Sequence, residues 1–128
     1  MQLIKAYRPM FICDDVPAMI AYYQEILGFQ IIHRIDDIGK SGWASMGCGG
    51  VEIMFASPTY MPEGVKVDGK FPQCVHYFYT TDAEALRKRV TEAGYEASEL
   101  KVTFYNNKEF ETVDPAGNML TFGQPLDD

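Results

Sequence analysis

The sequence predicts an α+β fold built from two tandem β-α-β-β-β modules, and three observations predict it. A helical run opened by Asp15 and closed by Gly28-Phe29 returns as one opened by Asp82 and closed by Gly94-Tyr95. Gly50-Val51-Glu52-Ile53-Met54-Phe55 returns as Gly117-Asn118-Met119-Leu120-Thr121-Phe122. The spacing is constant: Asp15 to Asp82, Gly50 to Gly117 and Phe55 to Phe122 each span 67 positions, and Gly28 to Gly94 spans 66. A fixed period marks one supersecondary unit used more than once, and this one fits twice into 128 residues. Two such twisted sheets, side by side with helices on the outer face, make a cupped mixed sheet with a ligand site in the seam. The expected organisation is a single domain over 1–128, with module 1 at about 3–56, a linker at about 57–72 and module 2 at about 73–123.

Residues 3–13 are a short extended apolar run, stopped by Asp14-Asp15, and predict the first strand. Asp15 is placed to cap the next helix, with Pro17 in the first turn, where its missing N–H costs nothing. Val16, Met19, Ile20, Tyr23, Ile26 and Leu27 recur at three- and four-residue spacing and form one apolar stripe. Gly28 suits the C-terminal cap. Phe29–His33 predicts a strand and Asp36–Ser41 a polar turn, after which Gly42–Cys48 and Val51–Phe55 form a hairpin across Gly49-Gly50. The linker, Ser57 through Pro72, carries three prolines and has no periodicity. Module 2 opens with a strand at Cys74–Thr80, and Thr81-Asp82-Ala83-Glu84 has the spacing of a capping box. Leu86, Val90 and Ala93 are expected to face the core. Strands at Ala97–Phe104, Glu109–Val113 and Asn118–Phe122 follow, joined by turns at Tyr105–Lys108 and Asp114–Gly117.

Composition narrows the function. A formal net charge of −7 argues against nucleic acid, because a phosphate-binding face needs clustered Lys and Arg. The same field favours a cationic ligand, although mild acidity also serves solubility. Cys13, Cys48 and Cys74 form no CxxC pair and no even framework, so a reducing compartment is expected. The start has no apolar core of signal-peptide length, and no apolar run approaches the roughly 20 residues of a membrane span. These points together lead to the expectation of a cytoplasmic protein with no membrane or nucleic-acid partner.

The pattern Asp15-x-x-x-x-x-x-Tyr22-Tyr23-x-x-x-Leu27-Gly28-Phe29, with Asp114-Pro115-Ala116-Gly117-Asn118-x-Leu120-x-Phe122, resembles the vicinal oxygen chelate superfamily. That superfamily contains glyoxalase I, extradiol dioxygenases, and fosfomycin- and bleomycin-resistance proteins. The resemblance runs from about Ile4 to Gly123. Thr103-Phe104-Tyr105, then Glu109-Phe110, together with Gly42-Trp43-Ala44, is most similar to the bleomycin-resistance branch, which implies a metal-free binder and antibiotic resistance.

For the enzymes of the superfamily, the resemblance implies a divalent metal held by His and Glu from the first and last strand of each module. Counted from the helix-opening Asp and the strand-opening Gly, those positions fall on Arg8, Met54, Val75 and Thr121. None is a His, Asp or Glu, whereas a catalytic metal needs about three protein ligands. The expectation is therefore no metal and no cofactor. His76 lies one residue out of register, which turns it toward the helix layer. Glu52 shares a face with Met54, and His33 reads as a strand-surface residue. No Gly-x-Ser-x-Gly, phosphate loop or His-Glu-x-x-His occurs, and each cysteine reads first as a small buried apolar residue.

Strand alternation extends the Arg8, Met54, Val75 and Thr121 face to Met10, Ile12, Tyr77, Tyr79 and Met119. Trp43 and Phe110, themselves 67 positions apart, join it from the third strands. Aromatic and Met side chains around a few polar groups suit a flat, partly apolar ligand. The expected ligand-binding set is Arg8, Trp43, Glu52, Met54, Tyr77, Tyr79, Tyr105, Phe110 and Thr121, with no catalytic residue. The expected function is sequestration of an antibiotic, cationic or planar aromatic small molecule by a homodimer. Two alternatives stay open: a metal-dependent lyase, isomerase or dioxygenase of the same fold (an isomerase with Glu52 as base), and a dimeric module with no ligand.

Overall fold

The structure, a computed structural model, describes residues 2–63 and 76–126. The chain divides into two compact units, residues 1–69 and 70–128. Cys74, Val75 and most of the expected linker lie outside the described residues.

In the first unit the strands β1 (Met10–Ile12), β2 (Gln30–Asp36), β3 (Gly42–Cys48) and β4 (Val51–Ala56) form a mixed sheet in the order β1-β4-β3-β2. β1 runs parallel to β4, and the other neighbours are antiparallel. Helix α1 (Val16–Glu25) follows β1. Asp15 caps it, its carboxylate accepting from the Ala18 N–H at 3.0 Å. The helix buries Val16, Met19, Ile20, Tyr22 and Tyr23, so Tyr22 widens the expected stripe. Beneath it lie Ala44, Met46, Ile53 and Phe55, all essentially inaccessible. Tyr23 is the hub, with its ring centroid 4.8 Å from Phe55 and 5.5 Å from Phe29. Each such side chain contributes about 1.5–3 kcal/mol by leaving water.

The strand expected over 3–13 shrinks to Met10–Ile12. Pro9 can accept the Met54 N–H at 2.9 Å but has none of its own to donate, so the ladder begins there. Leu3, Ile4 and Tyr7 before it are exposed. β2 runs three residues further than expected, to Asp36, before the turn closed by the Asp37 N–H on the Ser41 carbonyl.

In the second unit β5 (His76–Tyr79), β6 (Lys101–Val102), β7 (Asn107–Val113) and β8 (Met119–Pro125) repeat the topology in the order β5-β8-β7-β6. Helix α2 (Ala83–Glu92) is capped by Asp82, not by Thr81. The Asp82 carboxylate accepts from the Ala85 N–H at 3.0 Å, while the Thr80 hydroxyl takes the Asp82 N–H. This matches Asp15 in the first unit. Ala83 and Val90 are buried and Leu86 half-buried, but Ala93 is exposed, because the helix ends at Glu92. Gly28 and Gly94 end their helices with φ of 82° and 96°, left-handed conformations that favour glycine.

The strand expected over 97–104 survives only as β6 and an isolated bridge between Ala97 and Thr112. Ser98 is the cause. Its hydroxyl accepts the Glu111 N–H at 2.8 Å, a donor that a strand carbonyl would otherwise take.

The repeat is not uniform. Cys48 pairs with Val51 across two residues, whereas Asp114 and Asn118 close their turn across three, with the Asp114 N–H on the Asn118 carbonyl at 3.0 Å. The extra residue slips β7 by one. Phe110 pairs with Phe122 as Ala44 pairs with Phe55, so the counterpart of Trp43 is Glu109. A one-residue slip exchanges faces. Phe110 therefore points to the helix side, fully buried, with its ring stacked on Phe122 at 5.3 Å. Its expected place beside Trp43 is corrected. Among the described residues, no helix is long and apolar enough to cross a membrane.

Candidate functional site

The face of each sheet away from its helix carries the polar and aromatic groups that the core does not use. On the second sheet, Tyr77 lies opposite Thr121, and Tyr79 and Glu109 both lie opposite Gly123. Gly123 matters for space: a Cβ there would stand 2.0 Å from the Tyr77 hydroxyl oxygen. With no side chain at Gly123, the Tyr77 ring lies across the backbone of β8 and reaches β7. Its hydroxyl donates to Glu109 Oε2 at 2.6 Å and accepts from Asn107 Nδ2 at 2.8 Å. Tyr79 packs edge-on against Tyr77 at 5.2 Å between centroids and remains 73% exposed.

A second tyrosine arrives from the turn before β7. Asn106 takes a left-handed φ of 65°, which Asn tolerates better than most residues. The Thr103 carbonyl accepts the Asn106 N–H, and the Thr103 hydroxyl accepts the Asn107 N–H. This tight reversal brings Tyr105 back over the strand, and its hydroxyl donates to the same Glu109 Oε2. Glu109 is only 4% exposed. Its Oε1 has no hydrogen-bond partner among the described residues, and no described Lys or Arg forms an ion pair with it. Burial, then the hydrogen bond to Glu109, pushes the Tyr77 hydroxyl up to about 12. The hydrogen bond to Glu109, followed by desolvation, raises Tyr105 as well. Both therefore remain donors throughout the neutral range.

Further along this face, Glu96, Ala97, Ser98, Glu111, Val113 and Met119 line a groove of about 320 Å³. Thr121 is buried among the strands, and Met119 is 60% exposed.

On the first sheet, Trp43 lies opposite Ala56, Ser45 opposite Met54, and Gly47 opposite Glu52. Met10 pairs with Met54 from β1. Arg8 Nε stands 2.5 Å from Glu52 Oε2, both side chains being partly exposed. Glu52 is thus held by a cation, which does not suit the base of the isomerase alternative. His33 is exposed on β2, and His76 pairs with Leu120 on the helix side of β8, as its register requires.

The residues present do not fit the metal implied by the resemblance. Arg8, Met54 and Thr121 offer a guanidinium, a thioether and a hydroxyl, and Val75 lies outside the described residues. Among the described residues, no group of three or more His, Cys, Asp or Glu side chains is placed to hold a metal ion.

The Glyoxalase/Bleomycin resistance protein/Dioxygenase superfamily matches the chain over residues 7–122. The protein belongs to that superfamily. Its solved structural neighbours agree in fold. TioX from Micromonospora sp. ML1 is 20% identical, covers 95% of this chain and 100% of its own, and superposes with a TM-score of 0.73. TnmS3, an antibiotic binding protein from Streptomyces sp. CB03234, is 18% identical over 98% of this chain and 100% of its own, with a TM-score of 0.66. A lactoylglutathione lyase from Agrobacterium tumefaciens is 17% identical over 96% of both chains, with a TM-score of 0.70. None of the curated proteins matches the chain.

Of the expected site residues, β5 brings Tyr77 and Tyr79 beside Thr121, and Tyr105 joins Tyr77 through Glu109. Arg8, Glu52, Met54 and Trp43 share the open face of the first sheet, and Phe110 leaves the set. Sequence reasoning missed Glu109 and Asn107. The signal was present in the longer turn Pro115-Ala116-Gly117, which changes the repeat on the third strand from 67 to 66 and aligns Glu109 with Trp43.

Proposed function

We propose that this protein binds a flat, partly apolar small molecule on the open faces of its sheets, without a metal, and acts by sequestration. One observation carries the reading. Aromatic side chains that the core does not consume (Trp43, Tyr77, Tyr79 and Tyr105) stand on those faces, while Arg8, Met54 and Thr121 occupy positions that the resemblance implies for metal ligands. The antibiotic-binding neighbour supports the fold's suitability for this role. Stacking against two or three such rings contributes about 0.5–1.5 kcal/mol per pair beyond burial, in the range of a working hot spot.

The protein acts as a homodimer in this reading. Ile31, Ile32 and Ile35 are exposed on the edge strand β2, and exposed apolar edges are ordinarily covered. Sedimentation equilibrium at micromolar protein tests that point, a monomer counting against it.

The function itself is tested by titrating planar antibiotics while following Trp43 fluorescence, with elemental analysis of the same sample. Saturable binding with the ligand recovered unchanged is the expected result. One tightly held equivalent of metal, or conversion of the ligand, would overturn the proposal in favour of an enzyme.

A further inference from the structure

We infer that Glu109 is the anchoring point for a protonated amine on the ligand, with Oε1 accepting its N–H and the neighbouring tyrosine rings flanking the charge. The inference rests on the small-molecule reading above and adds the chemistry of the group recognised.

Four observations lead there. Glu109 is nine-tenths buried, and a buried carboxylate without a counter-charge is costly. Two hydroxyl donors converge on Oε2 and use both of its lone pairs, which leaves Oε1 as the acceptor for a further donor. Oε1 is left without a partner among the described residues, although Lys101 sits at the paired position on β6. Finally, Tyr79, which packs on Tyr77, and Tyr105 keep exposed ring surface, and Phe104, edge-on to Tyr105 at 4.9 Å, is wholly exposed. A carboxylate acceptor on a sheet face with exposed aromatic rings suits an organic cation, which gains a charge-assisted hydrogen bond from the one and cation–π attraction from the other. A neutral ligand of the same shape would leave the charge unmatched, and an anion would be repelled.

The occupant is a primary or secondary ammonium joined to a planar ring. A metal ion is a poor match, since one carboxylate oxygen beside two hydroxyls that are already donating offers too few ligands. The acidity of the whole chain, −7, draws such a cation in before contact.

The test compares two probes of nearly identical shape, naphthalen-1-ylmethanamine hydrochloride and naphthalen-1-ylmethanol, titrated into the full chain by calorimetry and protein NMR. The amine should bind about tenfold or more tightly than the alcohol, the scale of one charge-assisted hydrogen bond. Glu109→Gln should abolish that preference while leaving the affinity for the alcohol within about twofold, since shape and apolar contact are kept. On the wild type, the Glu109 side-chain carboxyl resonance should move with the amine and stay still with the alcohol, a readout independent of how the variant folds. Equal affinities, a preference that survives Glu109→Gln, or no amine binding at millimolar concentration would each overturn the ammonium anchor. Equal but real binding of both probes would do so while upholding the small-molecule reading, so the two failures are distinguishable.

Discussion

At matching positions on the third strand of each unit, one sheet presents Trp43 and the other Glu109. The frames around them are alike: a helix capped by Asp, a parallel pair of strands, and a small residue directly opposite, Ala56 in one unit and Gly123 in the other. The chemistry differs because the surroundings do. In the first unit the carboxylate of Glu52 is matched by Arg8 and both are partly in water. In the second the carboxylate is buried and, among the described residues, is met by hydroxyls only and keeps one oxygen open. The two units share the pattern that the core requires and differ on their open faces, since among the described residues each helix packs on the other face of its own sheet.

The comparison breaks most readily at Phe110. If Phe110 and Trp43 were equivalent, truncating either would act alike. Phe110→Ala should instead destabilise the protein by about 3–5 kcal/mol, the cost of emptying a packed aromatic site. Trp43→Ala should cost clearly less and mainly weaken ligand binding. Denaturant melts of the two variants decide the register.

Gly123→Ala comes next. The added methyl meets the Tyr77 hydroxyl, so the ring must swing off β8 and release Glu109. A loss of about 1–3 kcal/mol is expected, as for other overpacked sites, with the tyrosine signals displaced by NMR. The matching position in the first unit is already Ala56, and Ala56→Gly should leave Trp43 in place.

The tyrosine titration sharpens the contrast without unfolding anything. Tyr77 binds its proton more tightly folded than unfolded, so the stability this contributes is fully present below pH 10 and is lost as pH rises through about 12. Glu109→Gln removes a carboxylate that raises both Tyr77 and Tyr105, so tyrosinate absorbance should develop at lower pH in the variant. An unchanged alkaline titration would mean that the carboxylate does not hold the two hydroxyls.

The smallest effect belongs to the first unit's ion pair. Breaking it with Glu52→Gln should change stability by about 0–1 kcal/mol, less at high salt, because both partners are partly exposed. A loss as large as that at Gly123 would show that the pair is far better shielded than its exposure indicates.

Much of this protein is legible in its residues because local rules act over short distances. Asp15 before an apolar stripe, Gly28 after it, and the return of both at Asp82 and Gly94 specify two capped helices whatever surrounds them. Strand alternation likewise placed Tyr77 with Thr121 and turned His76 away. Other readings failed where a neighbouring group or a longer turn overrode the local rule. The third strand of module 2 dissolved because Ser98 captured a backbone donor, the cap moved from Thr81 to Asp82, and Phe110 changed faces.

The amino-acid sequence by itself determined the duplicated α+β frame, the place of its two helices and its superfamily, because a repeat of 67 residues and a set of caps are properties of the chain read in line. Only the tertiary structure decided which side chains meet on the open faces. A single extra turn residue between β7 and β8 inverts the pleat of a whole strand, and no local preference reports that. The Glu109 site depends on that inversion, on the left-handed Asn106 that returns Tyr105, and on the space that Gly123 leaves for Tyr77. Its groups come from separate strands and a turn, and only the pairing of β5, β7 and β8 brings them to one carboxylate.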